Sequence, residues 1–146
     1  MSDLVRVAVD AMGGDYAPVE PVKGAVEAVN ADERVKVQLV GQVDVIEKEL
    51  QKYTYPKERV EIVPATEIIE TGEPPVNAIR HKKDSSIVVG MKKVRCGEAD
   101  AFVSSGSTGA VLVGGQTIVG RIKGAAGSAD PDERRCIPSD RLRCEC

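Results

Sequence analysis

The chain has 146 residues, of which 42% are hydrophobic, 29% charged and 3% aromatic, with no Trp and one Phe. That length suits one domain or a piece of a larger one, because single cores run to about 100–200 residues. A formal net charge of −3 argues against a general nucleic-acid binder, and no apolar run approaches the roughly 18 residues needed to cross a bilayer.

Residues 1–10, MSDLVRVAVD, lack the basic and apolar regions of a secretory signal, so a cytoplasmic location is expected. Leu4 to Asp10 reads as a strand: its apolar run, broken only by Arg6, suits a strand covered on both faces. The loop Asp10-Ala-Met-Gly-Gly-Asp15 follows, with adjacent glycines that admit backbone conformations closed to other residues. A helix is expected from about Pro18 to Asn30, with Val19, Val22, Val26 and Val29 on one face. Val35 to Gly41 is a second strand and Val43 to about Lys52 a second helix. Arg59 to Val63 is a third strand, and Pro64 to Pro75 reads as irregular, broken by Thr71-Gly72 and Pro74-Pro75. Asp84 or Ser85 is the expected N-cap of a helix with Ile87, Val88, Met91 and Val94 on its apolar face, stopped by Gly97. Ala99 to Val103 is a fourth strand, and a small-residue helix runs on from Ser107 to about Val119.

Alternating strands and helices imply βαβ units: an α/β fold of three layers, α/β/α, with a mostly parallel sheet and right-handed crossovers. Ligands of such sheets sit at the carboxyl ends of the strands. The loops at 10–15 and 104–109 fall on that edge.

Ser104-Ser-Gly-Ser-Thr-Gly109, between a strand and a helix, offers free N–H groups and a helix dipole to an anion. Gly106 and Gly109 permit close approach, and Ser105, Ser107 and Thr108 add hydroxyls; ordinary capping and a tight turn explain the same residues. The motif is neither a Walker loop nor GxGxxG. Asp10 and Asp15 could orient a substrate group, hold a cation or bind a metal, or else serve the turn, with Asp15 capping the next helix. In Arg80-His-Lys-Lys-Asp-Ser-Ser86, Lys83, Ser85 and Ser86 could meet a phosphate at a helix start, or form part of a solvated surface. His81 is the single histidine and nothing pairs it with a nucleophile, which excludes a Ser-His triad. Cys136, Cys144, Cys146 and His81 do not have the spacing of a zinc site.

Taken in order, VAVDAMGGDYAP, GEPPVNAIRHKKDSS, ADAFVSSGSTGA and GRIKG closely resemble the bacterial phosphate acyltransferase (PlsX) family, continuously from Val5 to about Gly124. The resemblance implies a truncated isocitrate/isopropylmalate-dehydrogenase-like fold. It implies conversion of an acyl-acyl-carrier-protein and inorganic phosphate into acyl phosphate, for phospholipid synthesis, with no cofactor and no metal. Carried onto this chain, it places Asp10, Gly13, Gly14 and Asp15 on the active-site edge. Lys83, Asp84, Ser85 and Ser86, with Gly106, Ser107, Thr108 and Gly109, would form the phosphate side. Tyr16 stands where the family usually has His, Ser105 where it often has Ala, and Ser107 where Asn is typical. The partners implied are acyl-acyl-carrier-protein and phosphate, with no nucleic acid. A homodimer and peripheral membrane association are implied for the whole protein, and Arg80–Lys83 and Lys92–Arg95 either dock the acidic carrier or are a solvated basic face. The alternative reading is a non-catalytic phosphate-binding or interaction fragment that keeps the fold. A third is another phosphate-handling enzyme of this fold class, such as an acetyltransferase using coenzyme A.

Residues 1–124 thus read as the N-terminal part of a phosphate acyltransferase domain, and 125–146 as an out-of-frame or disordered tail. Back-translated and read from the second base of each codon, AAGSADPD permits RPALPIPT, and the last residues permit SLLIDCGAN, patterns similar to the family's own continuation. Sequencing the coding DNA is expected to show a single-base shift near codon 125; an intact frame would overturn that expectation.

Overall fold

A computed structural model describes residues 4–121. The expected tail, 125–146, lies outside them. The chain alternates β1 (Val5–Asp10), α1 (Val19–Ala31), β2 (Val35–Gly41), α2 (Val43–Leu50), a 3₁₀ turn (Lys57–Arg59) and β3 (Val60–Pro64). It continues through α3 (Pro75–His81), α4 (Ser86–Arg95), β4 (Ala101–Val103), α5 (Thr108–Gly114) and a π-helical turn (Gly115–Val119). The four described strands form one sheet in the order β3-β2-β1-β4, all parallel. The expected three-layer α/β/α arrangement is what the chain adopts.

Side-chain alternation divides the sheet between two cores. On one face Val37 and Leu39 meet Val22, Ala25, Val26 and Val29 of α1 and Ile46 and Leu50 of α2. On the other, Ala8, Val40 and Val63 pack with Ala65 and Ala99 beneath Val89 and Val94 of α4. A third cluster, built on Ile79, Ile87, Val88, Met91 and Ala110, joins α3, α4 and α5. The turn from α1 to β2 is set by Asp32, whose carboxylate accepts from the Arg34 backbone N–H and from both Nε and Nη2 of its guanidinium. These bonds, led by the guanidinium, pull the Asp32 pKa down to about 2.

Several expectations needed revision. Pro74-Pro75 was expected to break structure, yet Pro75 opens α3: at the first helical position its missing N–H is no loss and its fixed φ already suits a helix. The cap of α4 is Ser85 rather than Asp84, with Ser85 Oγ accepting from Val88 N–H at 3.4 Å. β4 is shorter than 99–103, because the Ala99 N–H is bonded to the Lys93 carbonyl at the end of α4. Val19 leaves the α1 core face and is 41% exposed. The last helix loosens at Gly114-Gly115 into the π-turn, where Thr117 Oγ1 donates to the Val113 carbonyl at 2.7 Å.

Strand β1 was expected to be covered on both faces. Its Ala8 and Asp10 are sealed on the α4 side, but α1 leans towards β2, leaving Val5 and Val103 about half exposed. Among the described residues strand β4 is paired along one side only, which leaves an edge of the described sheet there.

Leu39→Ala, at a fully buried position, is expected to cost about 2–5 kcal/mol in denaturant unfolding. Asp32 is depressed in the folded state, so its contribution is complete above its unfolded value of 3.8 and fades as pH falls through about 2. A carboxyl NMR titration should place its midpoint near that lower value.

Candidate functional site

Because β1 and β4 are adjacent, with Val9 opposite Val103, the loops that leave them emerge side by side at the carboxyl edge of the sheet. Four residues from the two loops meet first: Asp10, Gly13, Ser104 and Gly106. Asp10 is 1% exposed. Its Oδ1 accepts from the Met12 N–H at 3.1 Å, and its Oδ2 accepts from Ser104 Oγ at 2.8 Å. Ser104 Oγ in turn accepts from the Gly106 N–H at 3.1 Å.

The glycines here answer to real crowding. A Cβ on Gly13 would lie 2.3 Å from Asp10 Oδ2 and 3.0 Å from the Gly106 nitrogen. Gly14 has φ +101, a conformation costly for any residue with a Cβ. A Cβ on Gly109 would sit 2.6 Å from Cγ of Pro75, so α3 rests directly on the start of α5.

Beyond Gly106, Ser107 is the N-cap of α5, with Oγ accepting from the Ala110 N–H at 3.3 Å. The backbone N–H groups of Ser107, Thr108 and Gly109 find no acceptor among the described residues. Together with the exposed Thr108 hydroxyl they leave a row of donors at the loop. Asp15 is exposed; the N-cap of α1 is Pro18, without a side-chain cap, so Asp15 does not cap that helix.

The segment Lys83–Ser86 is placed differently. Asp84 accepts from both the backbone N–H and the hydroxyl of Thr66, while its own N–H donates to Glu67 Oε2 at 3.1 Å. Ser85 and Ser86 are buried, and the Ser86 N–H donates to the Glu67 carbonyl. These three residues therefore tie the start of α4 to the segment that follows β3, where Glu67 and Ser85 form an isolated parallel bridge. Lys83 and Asp84 are both exposed, and of the two only Lys83 is without a hydrogen bond or ion pair among the described residues. Among the described residues no hydrogen bond joins this segment to the 104–109 loop; what they share is the apolar cluster, entered by Ile87 and Val88 from one side and Ala110 from the other.

The single histidine has Nδ1 2.9 Å from the Asn77 carbonyl, one turn back in its own helix. Among the described residues no three His, Cys, Asp or Glu side chains are grouped as metal ligands. A cavity of about 260 Å³ lies further along the same edge, against Gly41, Gln42, Val43 and Thr66, and none of the expected site residues lines it. Two residues that sequence reasoning passed over matter locally: Ser104, which closes the contact to Asp10, and Thr66, the partner of Asp84. Ser104 sits inside a motif already picked out; Thr66 carried no signal.

Residues 5–129 match the family described as fatty acid synthesis protein. The chain is 51% identical over 121 residues to the phosphate acyltransferase of Alkaliphilus oremlandii, covering 82% of this chain and 36% of that protein. It is 49% identical over 120 residues to the phosphate acyltransferase of Clostridium beijerinckii, with 82% and 36% covered. For that of Clostridioides difficile the identity is 48% over 120 residues, with 82% and 35% covered. The chain thus spans about 36% of the length of these curated relatives.

Gly13→Ala is expected to force the two loops apart, because one of the atoms it meets is backbone and cannot rotate away. The expected cost is about 1–3 kcal/mol in thermal or denaturant unfolding. Gly24→Ala, where a Cβ meets nothing within 4 Å, should not destabilise and serves as the control.

Proposed function

This chain belongs to the fatty acid synthesis protein family, and on that premise we propose that it is the N-terminal part of a phosphate acyltransferase. The whole protein would move an acyl group from an acyl-acyl-carrier-protein to inorganic phosphate, supplying acyl phosphate to phospholipid synthesis. The observation that carries this reading is the pairing of two glycine-rich loops at the carboxyl edge of β1 and β4, with backbone N–H groups at Ser107, Thr108 and Gly109 that have no acceptor among the described residues.

In this reaction phosphate is the nucleophile. One of its oxygens forms a bond to the thioester carbonyl carbon, and the tetrahedral intermediate collapses by breaking the carbon–sulfur bond. The carrier thiolate leaves and takes up the proton of monohydrogen phosphate, giving acyl phosphate and free carrier thiol. No Ser or Cys nucleophile is required. The protein's task is to hold an anion in line with a carbonyl and to donate hydrogen bonds where charge develops.

In this proposal the 104–109 loop supplies N–H and hydroxyl donors, and Lys83 supplies a cation to the same anion. Asp10 and Gly13 hold the loops rather than touch phosphate, since the Asp10 carboxyl is buried and both its oxygens are bonded. Asp84, Ser85 and Ser86 support the site by fixing the start of α4. Gly14 and Asp15 form the rim. The dehydrogenase-like form of the fold, the division at residue 124, a cytoplasmic location, a homodimer and peripheral membrane contact belong to this proposal as well. The last is compatible with the finding that no described helix is long and apolar enough to cross a membrane.

A second reading, a phosphate-binding fragment without turnover, is favoured by one observation. The apolar face at Val5 and Val103 stands open, as expected where further parts of a fold would pack.

The deciding assay supplies acyl-acyl-carrier-protein with and without inorganic phosphate and traps acyl phosphate as its hydroxamate. A frame-restored chain is expected to form hydroxamate only with phosphate; no phosphate dependence would sink the acyltransferase reading. Phosphate binding by the 146-residue chain without turnover would mark that chain as the fragment. Lys83→Ala should weaken phosphate binding roughly two- to five-fold, less at higher salt, as expected for an exposed charge.

A further inference from the structure

Two serines precede Gly106, and both reach across to the opposite loop. Ser104 Oγ donates to Asp10 Oδ2 at 2.8 Å while accepting from the Gly106 N–H at 3.1 Å. Ser105 Oγ donates to the Gly13 carbonyl at 2.8 Å. The bonds to Asp10 and Gly13 span 94 and 92 residues of sequence, so they are tertiary contacts and not turn chemistry. Between them the backbones nearly touch: a Cβ on Gly106 would lie 3.1 Å from Cα of Gly13.

We propose that Ser104 is a positioning residue which, helped by Ser105, latches the 10–15 loop to the 104–109 loop and so sets the direction of the amides that receive phosphate. The proposal deepens the phosphate acyltransferase reading and rests on it. Its physical basis is the fate of the Gly106 amide. With Ser104 present, that N–H points inward to a hydroxyl, and the next N–H groups, of Ser107, Thr108 and Gly109, are the ones without acceptors among the described residues. Without the hydroxyl, the buried Asp10 Oδ2 and the half-buried Gly106 N–H both lose a partner. The Gly106 peptide can relieve this by rotating, since glycine tolerates most backbone conformations. Such a rotation displaces the peptide that carries the Ser107 N–H. Phosphate affinity therefore falls although no phosphate-facing group has been removed.

The experiment measures inorganic phosphate binding to the full chain by ³¹P NMR line broadening at constant ionic strength. Ser104→Ala is expected to weaken binding about ten-fold, the loss of one strong hydrogen bond. Ser104→Thr, which keeps the hydroxyl, should bind within about two-fold of the unaltered chain, a rescue that mere loss of packing would not give. Ser105→Ala removes one bond from an exposed side chain, so its fold is preserved, and a roughly three-fold loss is expected. Unaltered phosphate affinity in Ser104→Ala, beside measurable binding by the parent, overturns the latch and leaves the phosphate reading standing. No binding by the parent overturns the latch; if the frame-restored chain does not bind either, the phosphate reading falls with it. Should Ser104→Ala not fold, unchanged affinity in Ser105→Ala overturns the latch by itself.

Discussion

A carboxyl group enclosed beneath two glycine turns organises this end of the molecule. Burying a carboxyl is costly unless its oxygens find donors. Asp10 finds one in its own turn, at the Met12 N–H, and one on the neighbouring strand's loop, at Ser104. The second ties together segments that are far apart in sequence. Gly13 and Gly106 are small because the carboxyl and the facing backbone fill the space a side chain would need. Ser104, Gly106 and the donors that follow inherit their positions from this contact.

The contact exists because β4 adds to the sheet beside β1 and not beside β3. In the order β3-β2-β1-β4 the chain reverses direction of growth after β3, and the crossover carrying α3 and α4 returns over the sheet to deliver β4 to the other flank. Ligand sites of open parallel sheets lie where strand order changes in this way. The same crossover explains why Asp84, Ser85 and Ser86 are occupied with Thr66 and Glu67: the start of α4 must be anchored to the strand end it passes. Meanwhile α1 and α2 cover β2 and β3, so the apolar surface of β4 on their side is left open.

Chemistry that uses phosphate as the nucleophile asks little of side-chain reactivity and much of backbone placement. A loop whose early amide is satisfied internally and whose later amides are free is suited to that demand. An acidic group close by is tolerable because it is bonded on both oxygens and screened from the loop's outer side. The single histidine, engaged with its own helix, is outside this arrangement.

Local pattern was enough to locate the strands and most helices, since apolar residues spaced by two or by three and four mark buried faces whatever the topology. It was enough, too, to single out the two glycine-rich loops and to narrow the cap of α4 to Asp84 or Ser85, between which the structure chose Ser85. Helix α3 escaped because Pro75 both stops and starts structure, and which role it takes is settled by the packing of α3 on Gly109. The exposure of Val19 and Val5 followed from where α1 lies on the sheet, a long-range matter. Asp10 illustrates the division most plainly. Its place at a strand end before Gly-Gly was evident from sequence, and so was its candidacy as a site residue. Its actual role, inward and bonded to Ser104, arose from strand order, because a hydrogen bond spanning 94 residues has no periodicity or spacing to announce it.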